Sequence, residues 1–128
     1  MPEPRRIARS IEYVGTLDTT ITGSRNAVAP LILWYAIQRW GKEGFAQQVA
    51  GCLENAEYAV RRFRENGVEA WRNPHAITVV LPRPAEAVVS RWQIAVQEEI
   101  GHMIVMPHVS KSLIDEFVAE YLAAREKQ

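Results

Sequence analysis

The chain is predicted to fold as an α+β protein, on two observations about residues 42–128. A long helical segment comes first and another closes the chain, and both carry apolar residues at three- and four-residue spacing. The residues between them are instead rich in β-branched side chains and are broken by prolines. This length suffices for a two-layer unit, with an antiparallel sheet covered on one face by the long and terminal helices.

The first helix of this unit is predicted over residues 43–66 and ends at Gly67, a residue typical of helix C-termini. The final helix begins after Ser110, whose hydroxyl suits an N-cap. The apolar stripe of the first helix consists of Phe45, Val49, Leu53, Ala56, Val60 and Phe63. That of the final helix consists of Leu113, Phe117, Val118, Tyr121 and Leu122.

Strands are predicted between the helices because the apolar period changes after Gly67. Asn73-Pro74 is a turn-favouring pair, so the runs on either side of it are expected to pair with each other. The predicted strands are Val68–Arg72, Ala76–Leu81, Gln93–Gln97 and Ile100–Met106, with a short helix over Ala85–Trp92.

Residues 1–41 form a separate predicted part. Ser10–Val14 reads as a short strand or extended arm, and a helix from about Asn26 to Gly41 is apolar on nearly every side. Trp34 and Trp40 on that helix would expose a large apolar patch unless another polypeptide covered it. We therefore expect an oligomer, with domains at 1–41 and 42–128.

Composition excludes several classes of function. Fifteen basic and fifteen acidic side chains cancel, so no overall field attracts nucleic acid or an anionic membrane. The single cysteine, Cys52, excludes an internal disulfide and fits a reducing, cytoplasmic setting. The longest apolar run, residues 27–37, is about half of a membrane span, so we expect a soluble protein.

The most suggestive segment for function is Asp18–Pro30, DTTITGSRNAVAP, which precedes the apolar helix. A helix N-terminus carries partial positive charge, and hydroxyls, a glycine and Arg25 next to it are the parts of a phosphate-binding site. The same residues also fit a simpler interpretation, in which Ser24 is only an N-cap. The residue types alone leave both open.

Three runs of the sequence resemble a known family. They are YVGTLDTTITGSRNAVAPLILWYAIQRWGKEGF, GVEAWRNPHAITVVLPRP and IGHMIVMPHVS. Together they look like the carboxy-terminal part of the group II pyridoxal-phosphate-dependent amino-acid decarboxylases, most of all the bacterial histidine decarboxylases. The resemblance implies the aspartate aminotransferase-like fold (fold type I): here an arm, the linking helix and the small α+β domain that follows the large cofactor domain.

The resemblance also implies a role for the hydroxyl-rich loop. In the family, two subunits build each active site, and this loop reaches the phosphate of the cofactor held by the neighbouring subunit. The residues that would contact pyridoxal 5'-phosphate or the dimer partner are Thr20, Thr22, Gly23, Ser24 and Arg25, with Ser24 the first choice. The sequence departs from the family at Ala27-Val28, where Gly-His is common.

No catalytic residue is assigned to this chain. The lysine that forms the Schiff base in the family follows a histidine and lies upstream of the matched region. The lysines here, Lys42, Lys111 and Lys127, do not follow a histidine. Because decarboxylation needs that lysine to position the cofactor, the chain alone is expected to be inactive.

The predicted function is therefore the carboxy-terminal part of an L-amino-acid decarboxylase, with histidine as the expected substrate. Activity would need a homodimer or heteromer containing a chain with the large cofactor domain. The initial MPEPRR favours a separately started chain, either half of a split enzyme or the product of a truncated gene. Two alternatives stay open: a non-catalytic dimerisation or regulatory module, and a small-molecule sensor suggested by fold analogy alone.

Other chemically capable residues are given structural roles. The spacing of His75, His102 and His108 matches no metal-ligand pattern, so no metal site is predicted. Glu98 and Glu99 are expected in a hairpin turn, and Cys52 as a small buried side chain. Arg61, Arg62 and Arg64 are expected to balance Glu54, Glu57 and Glu65 on a solvated helix face.

Overall fold

The computed structural model describes residues 9–11, 16–18 and 27–126. The chain separates into two compact units, at residues 1–42 and 43–128. In the first unit, strand β1 (Arg9–Ile11) pairs antiparallel with β2 (Thr16–Asp18). The strand predicted at 10–14 is thus present over its first two residues, and residues 12–15 lie outside those described. The division into functional domains at residues 1–41 and 42–128 stays a prediction.

Helix α1 spans Val28–Glu65 and is interrupted at Gly41. Gly41 has φ 57° and ψ −170°, a combination that is essentially open only to glycine. The sequence predicted that a helix would stop at this residue and another would begin after it, and this is confirmed. Val28, the first helical residue, lies two positions after the predicted start at Asn26.

The second unit contains a three-stranded antiparallel sheet. Its strands are β3 (Thr78–Pro82), β4 (Ala95–Gln97) and β5 (Ile100–Ile104), in the order β3-β5-β4. Helix α2 (Glu86–Trp92) connects β3 to β4, and α3 (Lys111–Arg125) follows β5. These elements confirm the predicted α+β class, with the strand and helix positions shifted by a few residues.

The predicted strand over residues 68–72 is wrong in extent. Only Trp71 bridges to Val80, with N···O distances of 2.9 and 2.8 Å in the two directions. The amide of Ala70 instead donates to the carbonyl of Val68 at 2.9 Å. That hydrogen bond between residues two apart turns the backbone, so residues 68–70 do not continue as an extended strand.

The core lies between the helices and one face of the sheet. Val79, Leu81 and Met103 supply the sheet side. Phe63 of α1 packs edge-to-face on Phe117 and Tyr121 of α3, with ring centroids 5.9 and 5.4 Å apart. The other core residues of the helices are Ala56, Ala59, Val60, Val88, Ile114 and Val118. As predicted, the helices cover a single face of the sheet.

Candidate functional site

The residues predicted to contact phosphate lie outside the described part of the chain. They are Thr20, Thr22, Gly23, Ser24 and Arg25. Their role therefore stays a prediction. The structure describes the helix that follows them, beginning at Val28, and its first turn contains no acidic residue. An acidic side chain there would offset the partial positive charge of the helix N-terminus, so this sequence leaves that end suited to an anion.

The first part of α1 exposes an apolar surface. Its large apolar side chains each expose 45–62% of their area, and we call them the apolar helix surface: Val28, Leu31, Ile32, Leu33, Trp34, Tyr35, Ile37 and Trp40. No charged residue occurs between Val28 and Gln38, so this surface extends around the helix. Exposed apolar patches of this kind are typical of surfaces that contact another polypeptide or a membrane, or that form a ligand-binding groove.

A polar cluster joins α1 to α3 in the second unit. The Arg62 Nε donates to Asp115 Oδ1 at 2.8 Å, and the Tyr58 hydroxyl lies 2.9 Å from both carboxylate oxygens. The Arg62 guanidinium and then the Tyr58 hydroxyl hold the pKa of Asp115 below its usual value. The pKa of Tyr58 is raised in turn, mainly because its hydroxyl donates to Asp115. These groups satisfy one another, which indicates a structural clamp between helices.

Lys111, at the start of α3, contacts residues of α1. Lys111 forms an ion pair with Glu54, and its Nζ lies 5.7 Å from the centre of the Tyr58 ring. This pairing holds the pKa of Glu54 below its usual value. These contacts give Lys111 a structural role between α3 and α1. Lys42 is exposed, and Lys127 lies outside the described residues.

The remaining candidates have structural positions. Cys52 is buried, as predicted, and Glu98 and Glu99 form the turn between β4 and β5. His75 is an exposed turn residue with φ 61°, and His102 is half-buried in β5. Within residues 27–126, no three histidine, cysteine or acidic side chains gather as a metal site would require. No helix in this part is long and apolar enough to cross a membrane.

The basic cluster on α1 is only partly paired as predicted. Arg61 and Arg62 pair with Glu65, at 3.9 and 3.2 Å. The other acidic residues pair across elements instead: Glu54 with Lys111 and Glu57 with Arg72. Arg64 donates to the carbonyl of Ala70 at 2.8 Å. Helical spacing alone could not reveal these partners, because they come from distant parts of the sequence.

Sequence comparison identifies relatives among amino-acid decarboxylases. The chain is 46% identical over 120 residues to serine decarboxylase 3 of Oryza sativa subsp. japonica, covering 93% of this chain and 27% of that protein. It is 44% identical over 114 residues to histidine decarboxylase of Mesorhizobium japonicum, covering 89% of this chain and 31% of that protein. The chain thus spans about a third or less of the relatives it matches. No family model matches it.

Solved structures agree with the sequence relatives. L-methionine decarboxylase from Streptomyces sp. 590, in complex with 3-methylthiopropylamine, superposes with a TM-score of 0.67 and 30% identity. The superposition covers 87% of this chain and 25% of that enzyme. The internal aldimine form of the same enzyme gives a TM-score of 0.63 and 33% identity. By sequence and by fold, the chain belongs to the pyridoxal-phosphate-dependent amino-acid decarboxylases, of which it represents a carboxy-terminal portion.

Proposed function

We propose that these residues form the carboxy-terminal part of a pyridoxal-phosphate-dependent L-amino-acid decarboxylase. The observation that carries the proposal is a match over about nine tenths of this chain to only 27–31% of serine and histidine decarboxylases. The rest of such an enzyme must supply the Schiff-base lysine and most of the substrate pocket. It does so either within one longer polypeptide or as a separate chain. The reaction is loss of carbon dioxide from an L-amino acid to give an amine.

The cofactor is pyridoxal phosphate, which supplies the electron sink for decarboxylation when bound. On this proposal, the contribution of these residues is binding and orientation. Ser24 and Thr22 bind the phosphate group, and Arg25 neutralises its charge, next to the positive end of α1. The absence of acidic residues from the first turn of α1 supports this role.

The apolar helix surface is proposed to be covered by the polypeptide that carries the large domain. Trp34 and Trp40, 59% and 45% exposed, are the expected anchors of this contact, because large aromatic side chains dominate the energetics of interfaces. Burial of this surface brings residues 20–25 to a cofactor held by the other part of the enzyme.

Histidine is the first substrate to test and serine the second. Relatives that act on either amino acid match this chain at similar identity, 44% and 46%. This similarity supports a pocket built mainly by the remainder of the enzyme.

The test is reconstitution with the complementary part of the Mesorhizobium japonicum enzyme, the residues that this chain does not match. The two polypeptides are co-expressed, purified and given pyridoxal phosphate. Expected results are an aldimine absorbance band and release of carbon dioxide from histidine or serine, with neither from this chain alone. Ser24→Ala should weaken cofactor binding at least about tenfold, the effect of one lost charge-assisted hydrogen bond. Ser90→Ala in α2 is the matched control.

A non-catalytic dimerisation module is the second candidate, favoured by the exposure of the apolar helix surface. A stable homodimer that gives no cofactor signal with any complementary chain would support the module and contradict the decarboxylase.

A further inference from the structure

Helix α1 ends in a hydrogen-bonded turn that favours glycine. The amide of Val68 donates to the carbonyl of Phe63 at 3.0 Å. The amide of Gly67 donates to the carbonyl of Arg64 at 3.0 Å. These are the two hydrogen bonds of a Schellman motif, in which the residue at the position of Gly67 is left-handed. Gly67 has φ 71°, a conformation that glycine adopts readily because it has no β-carbon.

Asn66 precedes this glycine and contributes to the same turn. Its Nδ2 donates to the carbonyl of Arg62 at 2.8 Å. This contact satisfies one of the carbonyls that a helix C-terminus leaves without a partner in the helix. Asn66 is also exposed, so water reaches it. The pair Asn66-Gly67 therefore suits the end of a helix and lies at the surface.

The same pair of residue types is chemically reactive. When the backbone nitrogen of Gly67 loses its proton, it can attack the side-chain carbonyl carbon, Cγ, of Asn66. A bond forms between these two atoms, the bond from Cγ to Nδ2 breaks, and Nδ2 leaves as ammonia. Water then opens the resulting succinimide ring at either carbonyl and gives aspartate or isoaspartate. Glycine favours the attack because it has no side chain to hinder the approach.

In the closed turn, hydrogen bonds occupy both reacting groups. The Gly67 amide donates its proton to the carbonyl of Arg64, and Asn66 Nδ2 donates to the carbonyl of Arg62. The reaction therefore needs the last turn of α1 to open. Helix ends open locally at a much smaller free-energy cost than global unfolding, so the folded chain visits the reactive state.

The other asparagines in residues 27–126, Asn55 and Asn73, lack this combination. Asn73 precedes Pro74, whose nitrogen carries no hydrogen to lose. Asn55 lies within α1 and precedes an alanine, and its Nδ2 donates to the carbonyl of Val109 at 2.9 Å. Both serve as controls within the same molecule.

We propose that Asn66-Gly67 is a self-modification site, at which the chain converts Asn66 to aspartate and isoaspartate through opening of the last turn of α1. Water is the co-reactant and ammonia is the other product, so no oxidant, reductant or enzyme is required. The proposal is independent of the proposed function, because it uses residues of this chain alone.

The modification weakens the turn in which it occurs. Loss of Nδ2 removes the hydrogen bond to the carbonyl of Arg62. The new carboxylate lies at the C-terminal end of α1, where the helix dipole disfavours negative charge. Isoaspartate also lengthens the backbone just before Val68, which is 2% exposed and belongs to the core. The connection from α1 to the strands is therefore loosened.

The first test follows each asparagine as the purified 128-residue chain ages in mildly alkaline buffer. Peptide mapping by mass spectrometry distinguishes aspartate from isoaspartate at each position. We expect Asn66 to convert at least about tenfold faster than Asn55 or Asn73, because its neighbour alone offers an unhindered amide. Both products should appear. Equal rates at the three positions, or aspartate without isoaspartate, would overturn the proposal.

Two variants test the chemistry separately from the fold. Gly67→Ala is compared with the unsubstituted chain in urea, where strain at the left-handed position has no effect. It should slow the conversion of Asn66 at least about tenfold. Asn66→Gln keeps an amide on a longer side chain and should not convert over the same period. An unchanged rate in Gly67→Ala, or equally fast conversion in Asn66→Gln, would contradict the succinimide route.

Urea also tests the role of the turn. Conversion of Asn66 in the unsubstituted chain should be at least about threefold faster in urea than in buffer, because urea opens the hydrogen bonds of the turn. Equal rates would show that the turn does not control the reaction. After ageing, the unsubstituted chain should unfold at a lower urea concentration than before, and the Asn66→Gln chain should not change. Equal changes in the two proteins would contradict the loosening of the turn.

Discussion

The two parts of helix α1 on either side of Gly41 use apolar residues in opposite ways. From Val28 to Trp40 the helix is apolar all round, and its large side chains are at least 45% exposed. From residue 43 onward the apolar residues form one stripe, and its later members Ala56, Val60 and Phe63 are at most 4% exposed. Val49, also predicted in this stripe, is 53% exposed, so burial begins only after it. The difference teaches that hydrophobicity by itself does not bury a helix. Burial needs a complementary surface, which α3 and the sheet provide for the second part.

The comparison predicts that truncating one large aromatic side chain costs much stability and that truncating another costs almost none. Phe63→Ala should lower the free energy of unfolding by about 3–5 kcal/mol, because Phe63 is fully buried against Phe117 and Tyr121. Trp34→Ala should change it by less than about 0.5 kcal/mol in the dilute isolated chain. Urea unfolding measures both. A large loss from Trp34→Ala would mean that the apolar helix surface is already covered in solution.

Alanine substitution is predicted to change the stability in opposite directions at two glycines of α1, because one of them lies at the interruption of the helix. Gly41→Ala should cost about 1–3 kcal/mol, because its φ of 57° and ψ of −170° strain any residue with a β-carbon. Gly51→Ala, in the helical part with no atom within 4 Å of the added carbon, should stabilise by about 0.5–1 kcal/mol. Thermal and urea unfolding compare them. Stabilisation by both changes would show that the interruption is unnecessary.

A smaller effect is expected at the start of α3. Ser110 accepts a hydrogen bond from the amide of Leu113 at 3.2 Å, so Ser110→Ala should cost about 1 kcal/mol. Ser90→Ala, within α2 and away from any N-cap, is the control and should have little effect. An equal loss of stability in the two variants would show that the Ser110 cap does not stabilise the fold.

The smallest effect is a change in acid sensitivity at Asp115. Its folded pKa lies below the ordinary 3.8, through Arg62 first and Tyr58 second. The ionised carboxylate therefore stabilises the fold fully above that ordinary value, and this stability is lost as the pH falls through the lower folded pKa. In the Asp115→Asn variant, the free energy of unfolding should therefore fall less steeply as the pH is lowered. Glu69→Gln is the control for the loss of one negative charge. If the unsubstituted protein and both variants showed the same dependence of unfolding free energy on pH, the clamp between Arg62, Tyr58 and Asp115 would be contradicted.

Much of the second unit was predictable because its signals are local. The Ser110 cap, the end of the first helix near Gly67 and the stripe containing Phe117 each follow from a few neighbouring residues. The strand over 68–72 was overestimated because β propensity says nothing about how many ladder partners are available. The ion pairs of Glu54 and Glu57 were missed for a similar reason, since their partners lie far away in the sequence.

The candidate phosphate site was suggested by its residue types and then by the resemblance. The assignment of residues 20–25 stays a prediction, because these residues lie outside those the structure describes. The identity of the sheet face that the helices leave uncovered had no sequence signal at all. In the run IGHMIVM apolar residues occupy both alternate sets of positions, so the pattern does not reveal which set faces the helices.

The sequence by itself determined most helix and strand positions and the α+β class, because these depend on spacing, caps and turns along the chain. It indicated the family through its resemblance to known members. Only the tertiary structure decided which face of β3 and β5 the helices cover and which face they leave to Trp71, Ile104 and Met106. The physical reason is that side-chain burial depends on contacts between distant residues, and strand register sets which of two apolar sets is turned toward them.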